Sequence, residues 1–165
     1  KDFHDPEIGN TNVGLTPGLS GNWWGGQDRS GEGFLLSFEY GPTGDLILFA
    51  SFYTYDDTGN QVYLIGLSNE FDGTTVNVDV FITSGRKWGD AFDPSEGGTV
   101  AWGTGSFTFP DCESGSMTLT PNADAVASGF TELSYDLSRD VGDLEHGISC
   151  PTFVNNAGDA ALAAD

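Results

Sequence analysis

The stretch Thr75-Val-Asn-Val-Asp-Val-Phe-Ile-Thr83 decides the fold class. Val76, Val78, Val80 and Ile82 alternate with Asn77 and Asp79. A period of two suits a strand with one buried and one solvated face, because successive side chains point to opposite sides of a sheet. The same alternation recurs on both sides of this stretch. Runs at 33–40, 45–55, 61–67, 75–83, 99–109, 115–120 and 127–137, with a short opening run at 20–24, read as about eight strands. Gly41-Pro42-Thr43-Gly44 and Asp56-Asp57-Thr58-Gly59-Asn60 are tight turns between them. Such turns make neighbouring strands antiparallel, since parallel strands need long crossovers. The 24 glycines supply turn and bulge positions and let the sheet curve. No segment before Val141 carries a helical period of useful length. The expected fold is all-β and antiparallel, either a β-sandwich or jelly roll or a closed barrel.

A chain of 165 residues, 38% hydrophobic and 13% aromatic, can bury one core. Its expected division is an N-terminal arm over 1–18, a β domain over 19–150 and a C-terminal tail over 151–165. Neither terminal segment carries an apolar stripe that could hold it in place. Fixing each residue costs roughly 1–2 kcal/mol of backbone entropy, so both need a surface to dock on. Self-association through these arms is the expectation, with Phe3 and Ile8 as anchors and a groove near Trp23 or Trp24 as receptor. Addition of a strand to a free sheet edge is another expected route.

Against 25 acidic residues stand five basic ones, Lys1, Arg29, Arg86, Lys87 and Arg139, for a formal net charge of −20. No basic stripe exists to neutralise phosphates, which excludes nucleic acid as a partner. No apolar window is long enough to insert into a membrane as a helix, and the charge disfavours anionic lipid surfaces. Divalent cations are attracted instead. Cys112 and Cys150, an even pair in a small acidic β protein, read as one disulfide in an oxidising compartment. In the chain-entropy account, closing a loop of about 39 residues contributes roughly 4 kcal/mol. The first residue is Lys1 and not Met, which fits an exported chain whose signal peptide has been removed. A secreted, extracellular or cell-surface location is expected.

Three strings carry a resemblance: Leu19-Ser-Gly-Asn-Trp-Trp24, Ser30-Gly-Glu-Gly-Phe34 and Leu48-Phe-Ala-Ser-Phe-Tyr-Thr-Tyr-Asp56. With Thr83-Ser-Gly85, Ala91-Phe-Asp-Pro94, Gly103-Thr-Gly105 and Phe109-Pro-Asp-Cys-Glu-Ser-Gly115, they resemble a family of bacterial secreted β domains of unassigned function. That resemblance covers about residues 19–150. It implies location, fold class and the disulfide, and it brings no catalytic residues. Gly21-Asn22-Trp23 is also similar to the G-x-W of lipocalin and avidin barrels. In lipocalins an arginine from near the last strand packs over that tryptophan, so this likeness implies a calycin-like barrel closed by Trp23 and Arg139.

Candidate sites follow from residue chemistry. Carboxylate pairs such as Asp56/Asp57, Asp90/Asp93 and Glu39/Asp45 lie in turns with nothing beside them to separate two pKa values, and His4 and His146 accompany no nucleophile motif. No enzyme is expected. Asp140, Asp143 and Glu145, and separately Asp56 and Asp57, are oxygen-rich enough for Ca²⁺, though Asp, Gly and Asn are also what hairpin turns use. Trp23, Trp24, Trp88 and Trp102 offer a sugar-stacking platform or an apolar pocket. Trp23 and Trp24, being adjacent on a strand, must face opposite sides. The expected function is a non-enzymatic extracellular assembly or adhesion module, such as a filament or surface-layer subunit. The alternative is a barrel that binds a carbohydrate or another small ligand.

Overall fold

The structure, a computed structural model, describes residues 14–139. Eight strands follow one another: β1 (Gly21–Trp24), β2 (Gly33–Tyr40), β3 (Leu46–Tyr55), β4 (Gln61–Asp72), β5 (Thr75–Ser84), β6 (Gly98–Thr108), β7 (Ser114–Pro121) and β8 (Leu133–Arg139). Each pairs antiparallel with the next. The sheet closes where β1 returns to β8, with Trp23 opposite Arg139 and Trp24 opposite Ser138. Of the two arrangements expected, the closed barrel is the one present. The sandwich or jelly roll is corrected: it needs two facing sheets joined by crossovers, whereas here every connection joins sheet neighbours. Closure pairs the first and last strands with each other, over two residue pairs.

Alternation sets the inside. Leu46, Leu48, Ala50 and Phe52 of β3 are buried while Ile47, Phe49 and Tyr53 face out, and Val76, Val78 and Val80 are buried on β5. Phe34 stacks on Phe52 at 4.1 Å, and Phe107 meets Phe34 edge-on at 5.2 Å, which fills the middle of the barrel. Each such side chain, fully buried, contributes about 1.5–3 kcal/mol.

The chain entering β1 closes one end. A 3-10 turn over Pro17–Leu19 carries Leu19 into the core beside Leu15, so Leu15, placed in the arm on sequence grounds, packs with the domain. Trp23 donates its indole N–H to the Leu19 carbonyl at 2.9 Å and meets Phe109 edge-on at 5.0 Å. The Arg139 guanidinium stands 5.8 Å from the Trp23 ring and donates to the carbonyls of Gly18, Ser20 and Cys112 at 2.7, 2.7 and 3.3 Å.

Two strands, β4 and β8, differ from expectation by more than one residue at an end. β4 runs on past Leu67 to Asp72 because a bulge between Ser68 and Glu70 absorbs one residue and restores the register. The run at 127–137 is shorter, beginning at Leu133, because Ala123–Ala127 form a one-turn helix, α1. Asn122 caps α1 by accepting from the Ala125 N–H at 2.9 Å, and buried Ala125 anchors it over β6 and β7. The expected anchors Phe3 and Ile8, the acidic loop of Asp140, Asp143 and Glu145, and Cys150 lie outside the described residues. The expected bridge to Cys112 therefore ends on a residue outside them.

Candidate functional site

The other end of the barrel is open. Its mouth holds a cavity of about 360 Å³ whose floor and walls are Phe52, Leu64, Leu119, Leu133, Trp102 and Phe130. Phe52 pairs with Leu64 across β3 and β4, and Leu119 with Leu133 across β7 and β8, so two strand pairs on opposite sides supply the apolar floor. Below it the interior narrows to a void of about 10 Å³ among Phe34, Ala50, Gly66, Val78, Val80 and Phe107. The cavity is a cup at one end, and no channel runs on beneath it.

Trp102 reaches this cup through a bulge. Val80 of β5 pairs with Gly103 and Phe81 with Ala101, leaving Trp102 as the extra residue of β6. The extra residue shifts the in-and-out phase, so Trp102 turns inward, 3% exposed. Gly103 permits it, because a Cβ there would run into the Thr120 carbonyl oxygen. Asn122 fixes the bulge from the neighbouring chain. Its side-chain amide donates to the Ala101 carbonyl at 2.7 Å and its backbone N–H to the Trp102 carbonyl at 2.8 Å. Phe130, whose N–H is held by the Ala125 carbonyl at 3.1 Å, lies edge-on to Trp102 at 5.6 Å. The indole Nε1 of Trp102 is buried and has no hydrogen-bond acceptor among the described residues.

The rim is polar. Arg29 pairs with Glu32 at 3.0 Å, and Thr54 donates to the same carboxylate at 2.7 Å. The guanidinium of Arg29 also lies 4.8 Å over the ring of Tyr135. Tyr135 plugs the seam above the two β1–β8 pairs; a Cβ on Gly25 would meet its ring at 2.7 Å. Burial first, and then the Glu32 carboxylate, push the Tyr135 hydroxyl above its ordinary pKa, and the hydroxyl has no partner among the described residues. Across the mouth Asp57 packs on Gly129, which adopts φ +92° and whose missing Cβ leaves room for that carboxylate.

Asp56 behaves as a turn residue. Its carboxylate accepts from the Asn60 amide at 3.0 Å, the Thr58 hydroxyl at 2.8 Å and the backbone N–H groups of both. The Asn60 side chain, then that of Thr58, hold it down to about 2. No group of three or more His, Cys, Asp or Glu side chains gathers around Asp56 and Asp57, or anywhere else among the described residues. The four tryptophans do not form one platform. Trp23 is buried at the closed end, Trp102 lines the mouth, Trp24 is half-buried on the outer wall, and Trp88 projects 97% exposed from the β5–β6 loop.

No family model, curated protein or solved structure matches this chain. Its site therefore has to be understood from its own residues. Reading the sequence located Trp102 without its bulge and missed Asn122, Phe130 and the Arg29–Glu32–Thr54 rim. One signal was present for Asn122: an Asn after a Pro and before Ala-Asp-Ala is a helix start.

Proposed function

We propose that the chain is a non-enzymatic extracellular binding module of calycin-like design whose ligand is small and neutral or cationic, with an apolar body and a hydrogen-bond acceptor. The observation that carries this reading is the mouth cavity walled by Trp102 and Phe130, with a buried indole N–H that no atom of the described residues accepts. A volume of about 360 Å³ lies within the range of small-molecule sites, roughly 300–1,000 Å³. An unpaired buried donor costs about 1–3 kcal/mol, which a bound acceptor would offset. Glu32, Asp56 and Asp57 outnumber Arg29 at the rim, so an anionic ligand is disfavoured. The Glu32 and Asp56 carboxylates are also engaged in holding the rim and its turn, which supports binding over acid–base chemistry.

The test is a fluorescence titration with the neutral probe N-phenyl-1-naphthylamine beside the anionic probe 8-anilinonaphthalene-1-sulfonate. The neutral probe should bind more tightly, and Thr131→Trp, which places an indole over the cavity, should abolish that binding while leaving the fold intact. Equal binding by wild type and Thr131→Trp would sink the mouth as the site. A second role, assembly or adhesion, is favoured by a separate observation, the largely apolar outer wall of β2 to β5.

A further inference from the structure

The outward residues of β2 to β5 form rows across the wall. Gly33, Tyr53 and Tyr63 make one row, Leu35, Ser51, Ile65 and Phe81 the next, and Ser37, Phe49, Leu67 and Asp79 a third, with Ile47 beyond Phe49. Leu35, Ile47, Phe49, Tyr53, Tyr63 and Leu67 are each between 41% and 57% exposed. Side chains of this size offer on the order of 200 Å² each. With half-buried Ile65 and Phe81, and with Tyr55 and Trp24 at the margin, the wall presents roughly 800 Å² of largely apolar surface, more than the ~300–600 Å² of the largest patch on a typical monomer. It equals the ~800 Å² that each partner contributes to a standard interface. A shallow groove of about 230 Å³ lined by Trp24, Leu35 and Tyr53 continues it toward β1.

Charge selects the occupant. No Lys or Arg occurs between Arg29 and Arg86, and the acidic residues of these rows, Glu39 and Asp79, stand at their ends. A basic partner would be drawn to the carboxylates that give the chain its −20 charge and would gain little from a wall that has none at its centre. For two copies the position is reversed, because the neutral wall is where they can meet while keeping their carboxylates apart. We propose that this wall binds a second copy of the chain, face to face about a two-fold axis, which makes the contact self-complementary. The contact is independent of the mouth, since its residues point outward.

Such a contact has a salt signature. Raising NaCl from ~0.02 M to ~0.5 M shortens the range of the repulsion between the two acidic bodies and leaves the apolar contact in place, so association strengthens with salt. Sedimentation velocity of the wild-type chain should show monomer giving way to dimer across that range. The double variant Phe49→Glu/Leu67→Glu should associate at least ~10-fold more weakly with unchanged circular dichroism, because both side chains are already exposed. The control Thr104→Glu/Ser138→Glu, on the polar side of the barrel, should behave as wild type. A wild-type chain that stays monomeric at every salt concentration overturns the proposal, and so does a double variant that dimerises normally. Association that weakens with salt overturns it in favour of a charge-driven contact. A monomer that floats with phosphatidylcholine vesicles overturns it in favour of a bilayer.

Discussion

Trp23 and Trp102 are almost equally buried, 1% and 3% exposed, and the barrel treats them differently. Trp23 has every need met: its N–H is accepted by Leu19, its face lies under Arg139, and its edge packs on Phe109. Trp102 has its backbone tied by Asn122 and its ring flanked by Phe130, and its N–H is left without an acceptor among the described residues. Burial and satisfaction are therefore separate properties. The end that is both buried and satisfied closes the barrel, and the end that is buried and unsatisfied is the one where a ligand is proposed to bind.

The sharpest way to break this comparison is the same substitution at both ends. Trp23→Phe should cost about 2–3 kcal/mol, since it strands the buried Leu19 carbonyl and shrinks the surface beneath Arg139. Trp102→Phe should cost about 1 kcal/mol or less, because no hydrogen bond is lost, while binding at the mouth weakens. Urea denaturation of both variants measures the difference, and equal losses would mean that the Trp102 N–H is satisfied in solution.

Next in size is Asn122→Ala. It removes the cap of α1 and the amide contact to Ala101, for about 1–2 kcal/mol by the same denaturation measurement. The loss should be accompanied by a change in Trp102 fluorescence, since the bulge that aims the indole is no longer held. An unchanged emission would show that Gly103 sets the bulge alone.

The smallest expected effect separates two groups of the mouth by pH. Tyr135 has its pKa raised on folding, so its contribution is fully present below the unfolded tyrosine value of about 10 and is lost as pH rises through and beyond it. Asp56 has its pKa lowered to about 2, so its contribution is present above the ordinary carboxylate value and lost as pH falls toward 2. Tyr135→Phe should therefore flatten the alkaline decline of melting temperature and leave the acid side unchanged. Asp56→Ala should do the reverse, and weakly, because that carboxylate is solvent-exposed.

The strands were legible because their signal is local. Val76, Val78 and Val80 alternate within one run, and the turns at 41–44 and 56–60 name themselves by Gly, Pro, Asp and Asn. Closure was not legible in the period of any run, since Trp23 meets Arg139 across most of the chain; it was reached only through the likeness of Gly21-Asn22-Trp23 to the lipocalin G-x-W. The mouth was harder still. A bulge at Trp102 is a one-residue change of phase that Gly103 permits and Asn122 stabilises from another strand end, so its cause lies in three places in sequence. Outward Phe49 and Leu67 were hidden differently: a strand that is apolar on both faces reads the same as one buried on both.

The pairing order of the strands also bears on how the barrel assembles. Seven of its eight ladders join strands adjacent in sequence, and each can form once a local loop has closed, from two residues between β4 and β5 to 13 between β5 and β6. The remaining seam rests on two residue pairs and on an arginine that reaches back over 119 residues to the Ser20 carbonyl. Its loop entropy is the largest in the molecule and its ladder among the shortest. By this reasoning a curled but open sheet precedes the barrel, and Arg139, seated across the gap on three carbonyls, acts as the latch that turns that sheet into a vessel.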